Sequence, residues 1–202
     1  QVALGNTNGG MSFWGAGTGN VIGGSAAGAG NVVAANGTGV LVGSASSGAT
    51  IQGNYIGVAA DGLTLLGNTA IGVDIQGNSI NTLVGSDNNG TNDVAERNII
   101  AGNSVGVSVA DASTTGNAIL SNSIYGNTGL GIDLGTTGVT ANDTGDGDSG
   151  PNRLQNFPVL TTARTDGSTQ LIVTGSLNST ASSYFRIEFF ANASQDGTGY
   201  GE

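Results

Sequence analysis

The chain has 202 residues, 38 of them glycine and 2 proline, with no cysteine and no histidine. Its 14 carboxylates stand against four cations, Arg97, Arg153, Arg164 and Arg186, for a formal net charge of −10. Disulfides and thiolate metal sites are excluded, and nucleic acid, anionic membranes and polyanionic substrates are argued against, since each calls for basic patches.

The chain opens at residues 1–4 as a strand, with no capping helix before Met11. Leu4-Gly5-Asn6-Thr7 then returns as Leu66-Gly67-Asn68-Thr69, an offset of 62. A second repeat places Asn, aliphatics, Asn, Gly and alternating aliphatics at residues 31–42. It recurs at 98–109 and, one residue longer, at 122–134. A Gly-aliphatic start recurs at Gly10, Gly39, Gly72, Gly106 and Gly131, at spacings of 25 to 34 residues. Repeats of this length signal a solenoid.

Each repeat holds three short apolar runs, for example Val40-Leu41-Val42, Thr50-Ile51-Gln52 and Asn54-Tyr55-Ile56. Runs this short are not stable as isolated hairpins. Stacked on the equivalent run of the next repeat, each gains a ladder at about 4.8 Å spacing. The expected fold is therefore all-β: a right-handed parallel β-helix over residues 1–135, with three short strands per coil and about four to five coils. Alternate aliphatics point inward, and Ser, Thr, Gln and Asp point out. Glycine and asparagine mark the corners, where φ > 0 is needed. Asn36, Asn103 and Asn127 are expected at one corner, with their amides stacked as a ladder. Two insertions, residues 58–66 and 87–96, carry no aromatic platform and read as solvated excursions.

From residue 136 the pattern stops. Residues 136–160 read as a Gly/Asp loop followed by an apolar cover for the last coil. In the remainder, 161–202, residues 170–174 and 184–190 alternate strictly. They are expected to pair as antiparallel strands of a small sandwich-like segment. Two strands are too few to fold alone, so the segment is expected to pack on the β-helix, on further residues outside this sequence, or on a neighbouring molecule.

The Asn-x-Ile-x-Gly-Asn repeats, Gly131-Ile132-Asp133-Leu134-Gly135 leading to Asn142-Asp143, and the segment from Gly150 to Leu160 resemble secreted bacterial surface proteins built from right-handed parallel β-helix repeats. The tail from Phe185 to Asn192 and from Gly199 to Glu202 is similar to the strand-rich segment that follows such repeats. The resemblance implies export and a cell-surface role, and it carries no catalytic residues.

Candidate sites are few. Asn142, Asp143, Asp146 and Asp148 gather hard oxygen ligands among flexible glycines, which makes them candidate ligands for Ca2+. The spacing is not that of an EF-hand, and the closing glutamate is missing. Asp74, Asp111 and Asp133 fall near comparable strand ends and can form an outward carboxylate row, the arrangement an inverting glycoside hydrolase needs. Few aromatic residues lie in the coils to stack on sugars. The expectation is thus a non-enzymatic extracellular or cell-surface structural protein. It associates with itself, head to tail through coil ends or by C-terminal strand donation, or with other surface proteins; no nucleic acid is bound and no membrane is entered. A carbohydrate-active or carbohydrate-binding domain is the alternative, and a passive adhesin stalk is the second.

Overall fold

The computed structural model describes residues 5–192 and 196–201; the strand expected at residues 1–4 lies outside them. The chain makes four circuits of three strands. They are β1 (Gly9–Trp14), β2 (Val21–Gly23) and β3 (Val32–Val33); β4 (Thr38–Gly43), β5 (Thr50–Gln52) and β6 (Tyr55–Ile56); β7 (Ile71–Ile75), β8 (Leu83–Gly85) and β9 (Ile99–Ala101); and β10 (Val105–Val109), β11 (Ala118–Leu120) and β12 (Ser123–Tyr125). A fifth circuit begins with β13 (Ile132–Leu134). Strands of the same rank stack in parallel. The sheets run β1-β4-β7-β10-β13, β2-β5-β8-β11 and β3-β6-β9-β12. The architecture is all-β with almost no helix, and its stacked parallel sheets are compatible with a parallel β-helix.

One narrow core joins the three sheets. In the second sheet Ile22, Ile51, Val84 and Ile119 stack in register; in the third, Val33, Ile56, Ile100 and Ile124 do. Ile51, Ile56, Ile75 and Ile100 have no exposed surface. Burying side chains of this size stabilises by about 1.5–3 kcal/mol each. In the first sheet two columns face inward, Met11-Val40-Val73-Val107 and Phe13-Val42-Ile75-Val109-Leu134, while Ile132, next in the first column's register, is 44% exposed.

The recurring glycines have a steric cause. The registers of the first sheet place Gly10, Gly39, Gly72, Gly106 and Gly131 in one row. A Cβ at Gly72 would lie 2.6 Å from the Gly106 carbonyl oxygen and 2.8 Å from Ile100 Cγ2. At Gly10, Gly39, Gly72 and Gly106 the third sheet or the neighbouring circuit presses in the same way, and no side chain fits.

Three regions differ from the sequence reading. The antiparallel pair joins β14 (Val159–Thr165) to β15 (Leu171–Ser176), and residues 184–190 form no strand. Locality explains the choice. Asp166 accepts the backbone N–H groups of Ser168, Thr169 and Gln170 at 2.9, 2.8 and 3.0 Å and closes a tight hairpin. Residues 184–190 are held elsewhere: Glu188 accepts the Ser121 amide at 2.8 Å and pairs with Arg186 at 2.7 Å. The first insertion is a small hairpin, with Val58 bridging Leu65 and fully buried. The second insertion is not wholly solvated. It ends in the one-turn helix α1 (Asp93–Glu96), and Glu96 is buried.

Candidate functional site

Two asparagine columns run along the stack. In the first, each asparagine receives both the backbone N–H and the side-chain Nδ2 of the one above on its Oδ1. Asn6 donates to Asn36, with the backbone bond at 3.0 Å. Asn36 donates to Asn68 at 3.0 and 3.1 Å, Asn68 to Asn103 at 3.1 and 2.9 Å, and Asn103 to Asn127 at 2.9 and 3.0 Å. The structure thus brings Asn36, Asn103 and Asn127 together, and adds Asn6 and Asn68. The second column, Asn31-Asn54-Asn98-Asn122, repeats the scheme at 2.9–3.2 Å. It opens each of the repeats found in the sequence, and its stacking was missed there. A shorter column has Asn117 accept the Thr82 amide and donate its own to Asn152 Oδ1 at 3.0 Å. Asn152, Arg153 and Leu154 all take positive φ (45°, 58° and 50°) in the turn Pro151–Leu154, which sets this last rung. Buried amides satisfied in this way avoid a desolvation penalty of about 1–3 kcal/mol each.

Asp74 and Asp133 lie on the outer face of the first sheet, in one row with Ser108 between them. Two strand steps separate their Cα atoms by roughly 9–10 Å. Asp74 is 9% exposed and Asp133 6%. Burial, with the nearby charge of Asp111 second, pushes the Asp74 carboxyl up to about 6. Asp133 Oδ2 accepts the Gly138 amide at 3.0 Å, while its Oδ1 is buried without a partner. Asp111 stands apart from the row, its Oδ2 accepting the Gly77 amide at 2.7 Å.

Among the described residues two acidic clusters could hold a metal ion, Asp143-Asp146-Asp148 and Asp87-Asp93-Glu96; in each, carboxylate oxygens lie within 4.8 Å of one another. In the first, Asp143 accepts from the Gly147 amide at 2.9 Å and from Asn156 Nδ2 at 3.3 Å. Asp146 accepts from the Asn156 amide at 2.8 Å and from Ser179 Oγ at 2.7 Å. Asn142 hydrogen-bonds the backbone of Phe157 in both directions, at 2.8 and 2.9 Å. The second cluster was not picked out from the sequence. The carboxylates at Asp87, Asp93 and Glu96 were legible there, but the burial of Glu96 was not.

A cleft of about 820 Å³ lies between β12 and residues 188–192, lined among others by Arg97, Tyr125, Phe189 and Phe190. Among the described residues no helix is long and apolar enough to cross a membrane. No family model, curated protein or solved structure matches the chain.

Proposed function

We propose that the chain is a length of right-handed parallel β-helix that serves as a non-enzymatic structural element outside the cell and associates with copies of itself end to end. The right hand is the one that crossovers between parallel strands take in nearly all proteins. The observation that carries the reading is the far end of the stack. Among the described residues, strands β11, β12 and β13 each have a sheet neighbour on one side only, and the turn Pro151–Leu154 and Glu188 touch part of that end without adding a strand to it. An unpaired strand edge is a template for a further strand, and the β1–β3 edge of a second copy offers the same three-sheet cross-section. The sparse charge and the polar columns spent on stacking suit a scaffold. The export and surface location rest on the resemblance of the repeats. Calcium at Asp143, Asp146 and Asp148 would stiffen the cover of the last circuit.

Sedimentation and negative-stain microscopy over a range of protein concentrations test this reading. End-to-end oligomers or filaments that grow with concentration are expected. Dispersed monomers throughout would remove self-association and leave a passive stalk.

A second reading has one observation in its favour. Asp74, with its carboxyl near 6, and Asp133 are both almost fully buried and flank Ser108 in one row, their Cα atoms roughly 9–10 Å apart, a scale on which two carboxyls can work as an inverting pair. In that reading Asp74 is the acid and Asp133 the base. Release of reducing ends from a polysaccharide panel, lost in both Asp74→Asn and Asp133→Asn, would support it; no release from any polysaccharide would exclude it.

A further inference from the structure

The repeat that builds the third sheet appears once more in the tail. Asn31-Val32-Val33-Ala34-Ala35-Asn36, Asn98-Ile99-Ile100-Ala101-Gly102-Asn103 and Asn122-Ser123-Ile124-Tyr125-Gly126-Asn127 carry β3, β9 and β12. Ile187-Glu188-Phe189-Phe190-Ala191-Asn192 has the same frame. Phe189 falls where Val33, Ile100 and Ile124 pack into the core, and Asn192 ends the frame as Asn36, Asn103 and Asn127 end theirs. Ala191 falls where Gly102 and Gly126 take positive φ (73° and 61°), and in the first copy Ala35 takes it too, at 60°.

The structure holds this segment beside the place such a strand would fill. Among the described residues β12 has one sheet neighbour, β9. The Ser123 amide donates to the Asn98 carbonyl at 2.9 Å, so the N–H and C=O of Ile124 point to the open side. Ile124 ends a core column and, unlike Ile56 and Ile100, is only partly buried. Across the cleft stand residues 188–192, with Phe189 62% and Phe190 57% exposed. Glu188 tethers them: it accepts the Ser121 amide at 2.8 Å and Ser121 Oγ at 3.0 Å. Arg186 donates to Glu188 and to Asn88 Oδ1, each at 2.7 Å. An open strand edge and exposed aromatic rings are both unfavourable, and closing the cleft removes both at once.

We propose that residues 188–190 are a fifth strand of the third sheet, which closes the cleft by seating on β12 in parallel. Phe189 then stacks on Ile124 at the end of the core column, and Phe190 lies against Tyr125 on the outer face. The Ile124 N–H donates to the Glu188 carbonyl, and the Ile124 carbonyl accepts the Phe190 N–H. Glu188 comes opposite Ser123, within reach of its hold on Ser121. The inference does not rest on self-association: a seated tail occupies this edge, and a second copy would have to displace it.

The test uses the full chain, which has no cysteine of its own. Residues in register on neighbouring strands have Cα atoms about 4.8 Å apart, within disulfide reach, while a residue two further along is about 8 Å away and out of reach. Under mild oxidation Tyr125→Cys/Phe190→Cys should form a disulfide within one chain, and Tyr125→Cys/Asn192→Cys should not. In hydrogen exchange the Ile124 amide of the parent chain should exchange at least tenfold more slowly than in Phe189→Ser, and Phe189→Leu should keep that protection. The proposal is overturned if neither pair cross-links, if the out-of-register pair links as readily, if links form only between chains, or if Phe189→Ser leaves the Ile124 amide unchanged.

Discussion

The stack and the tail solve the same backbone problem in opposite ways. From β4 to β10 each strand finds a parallel neighbour on both sides, and the inward aliphatics of these circuits are wholly buried. In the tail, among the described residues, β14 and β15 pair only with each other, and Val159, Leu160, Leu171 and Ile172 are each half or more exposed. Both regions carry alternating apolar residues. The alternation therefore sets which face an apolar residue takes, while burial comes from having another layer to stack on. Stability should be concentrated in the stack and nearly absent from the tail.

The largest test of that contrast is the glycine row. Gly72→Val drives a side chain into the Gly106 carbonyl and Ile100. A loss of about 4 kcal/mol or more is expected, enough to unfold a marginal domain, and circular dichroism with urea titration would read it. Next comes a ladder rung. Asn103→Ala removes the acceptor of both the Asn68 amide and Asn68 Nδ2, leaving buried donors unpaired. About 2–4 kcal/mol should be lost in urea unfolding, with the slope unchanged.

Asp74 gives a smaller effect of opposite sign. Its carboxyl is raised from 3.8 to about 6, so the folded chain holds a proton that the unfolded chain releases. Its contribution to stability is present below about pH 4 and is lost as pH rises through 6. Asp74→Asn should therefore stabilise the fold at pH 7 by roughly 1–3 kcal/mol and flatten the pH dependence between 4 and 6. Chemical denaturation at pH 4 and pH 7 would show it. The smallest effect belongs to the tail: Leu171→Thr, at an exposed hairpin position, should change stability by no more than about 0.5 kcal/mol.

Most of the stack was legible in the sequence because its causes are local and repeated. The five glycines of the first sheet were picked out by spacing alone, and at Gly10, Gly39, Gly72 and Gly106 the same clash with the carbonyl of the next circuit recurs. The first asparagine column was only partly seen. Asn6 and Asn68 sat in a recognised repeat, but the steps Asn36 to Asn68, Asn68 to Asn103 and Asn103 to Asn127 have separations of 32, 35 and 24, so a single period does not connect them. Excursions at other corners absorb the variation, and the register of a column survives while its sequence spacing does not.

The tail was misread for a different reason. Residues 184–190 have the alternation of a strand, but the hairpin closed by Asp166 is more local, and Arg186 and Glu188 are engaged by Asn88 and Ser121. Alternation cannot rank competing partners. Likewise, nothing in the sequence of residues 87–96 distinguishes Glu96 from its exposed neighbours. Its burial depends on Ser86 and on the adjacent circuit, whose Gly53 amide the Glu96 carbonyl accepts.

Native-state hydrogen exchange of assigned amides measures the layered stack most directly. The backbone amides of Asn36, Asn68 and Asn103, and of Asn54 and Asn98, each bond to the asparagine of the next circuit. They should exchange only through global unfolding, while amides of β14 and β15 exchange orders of magnitude faster. Asparagine amides that exchange as fast as those of the hairpin would mean that the circuits are not stacked in this register.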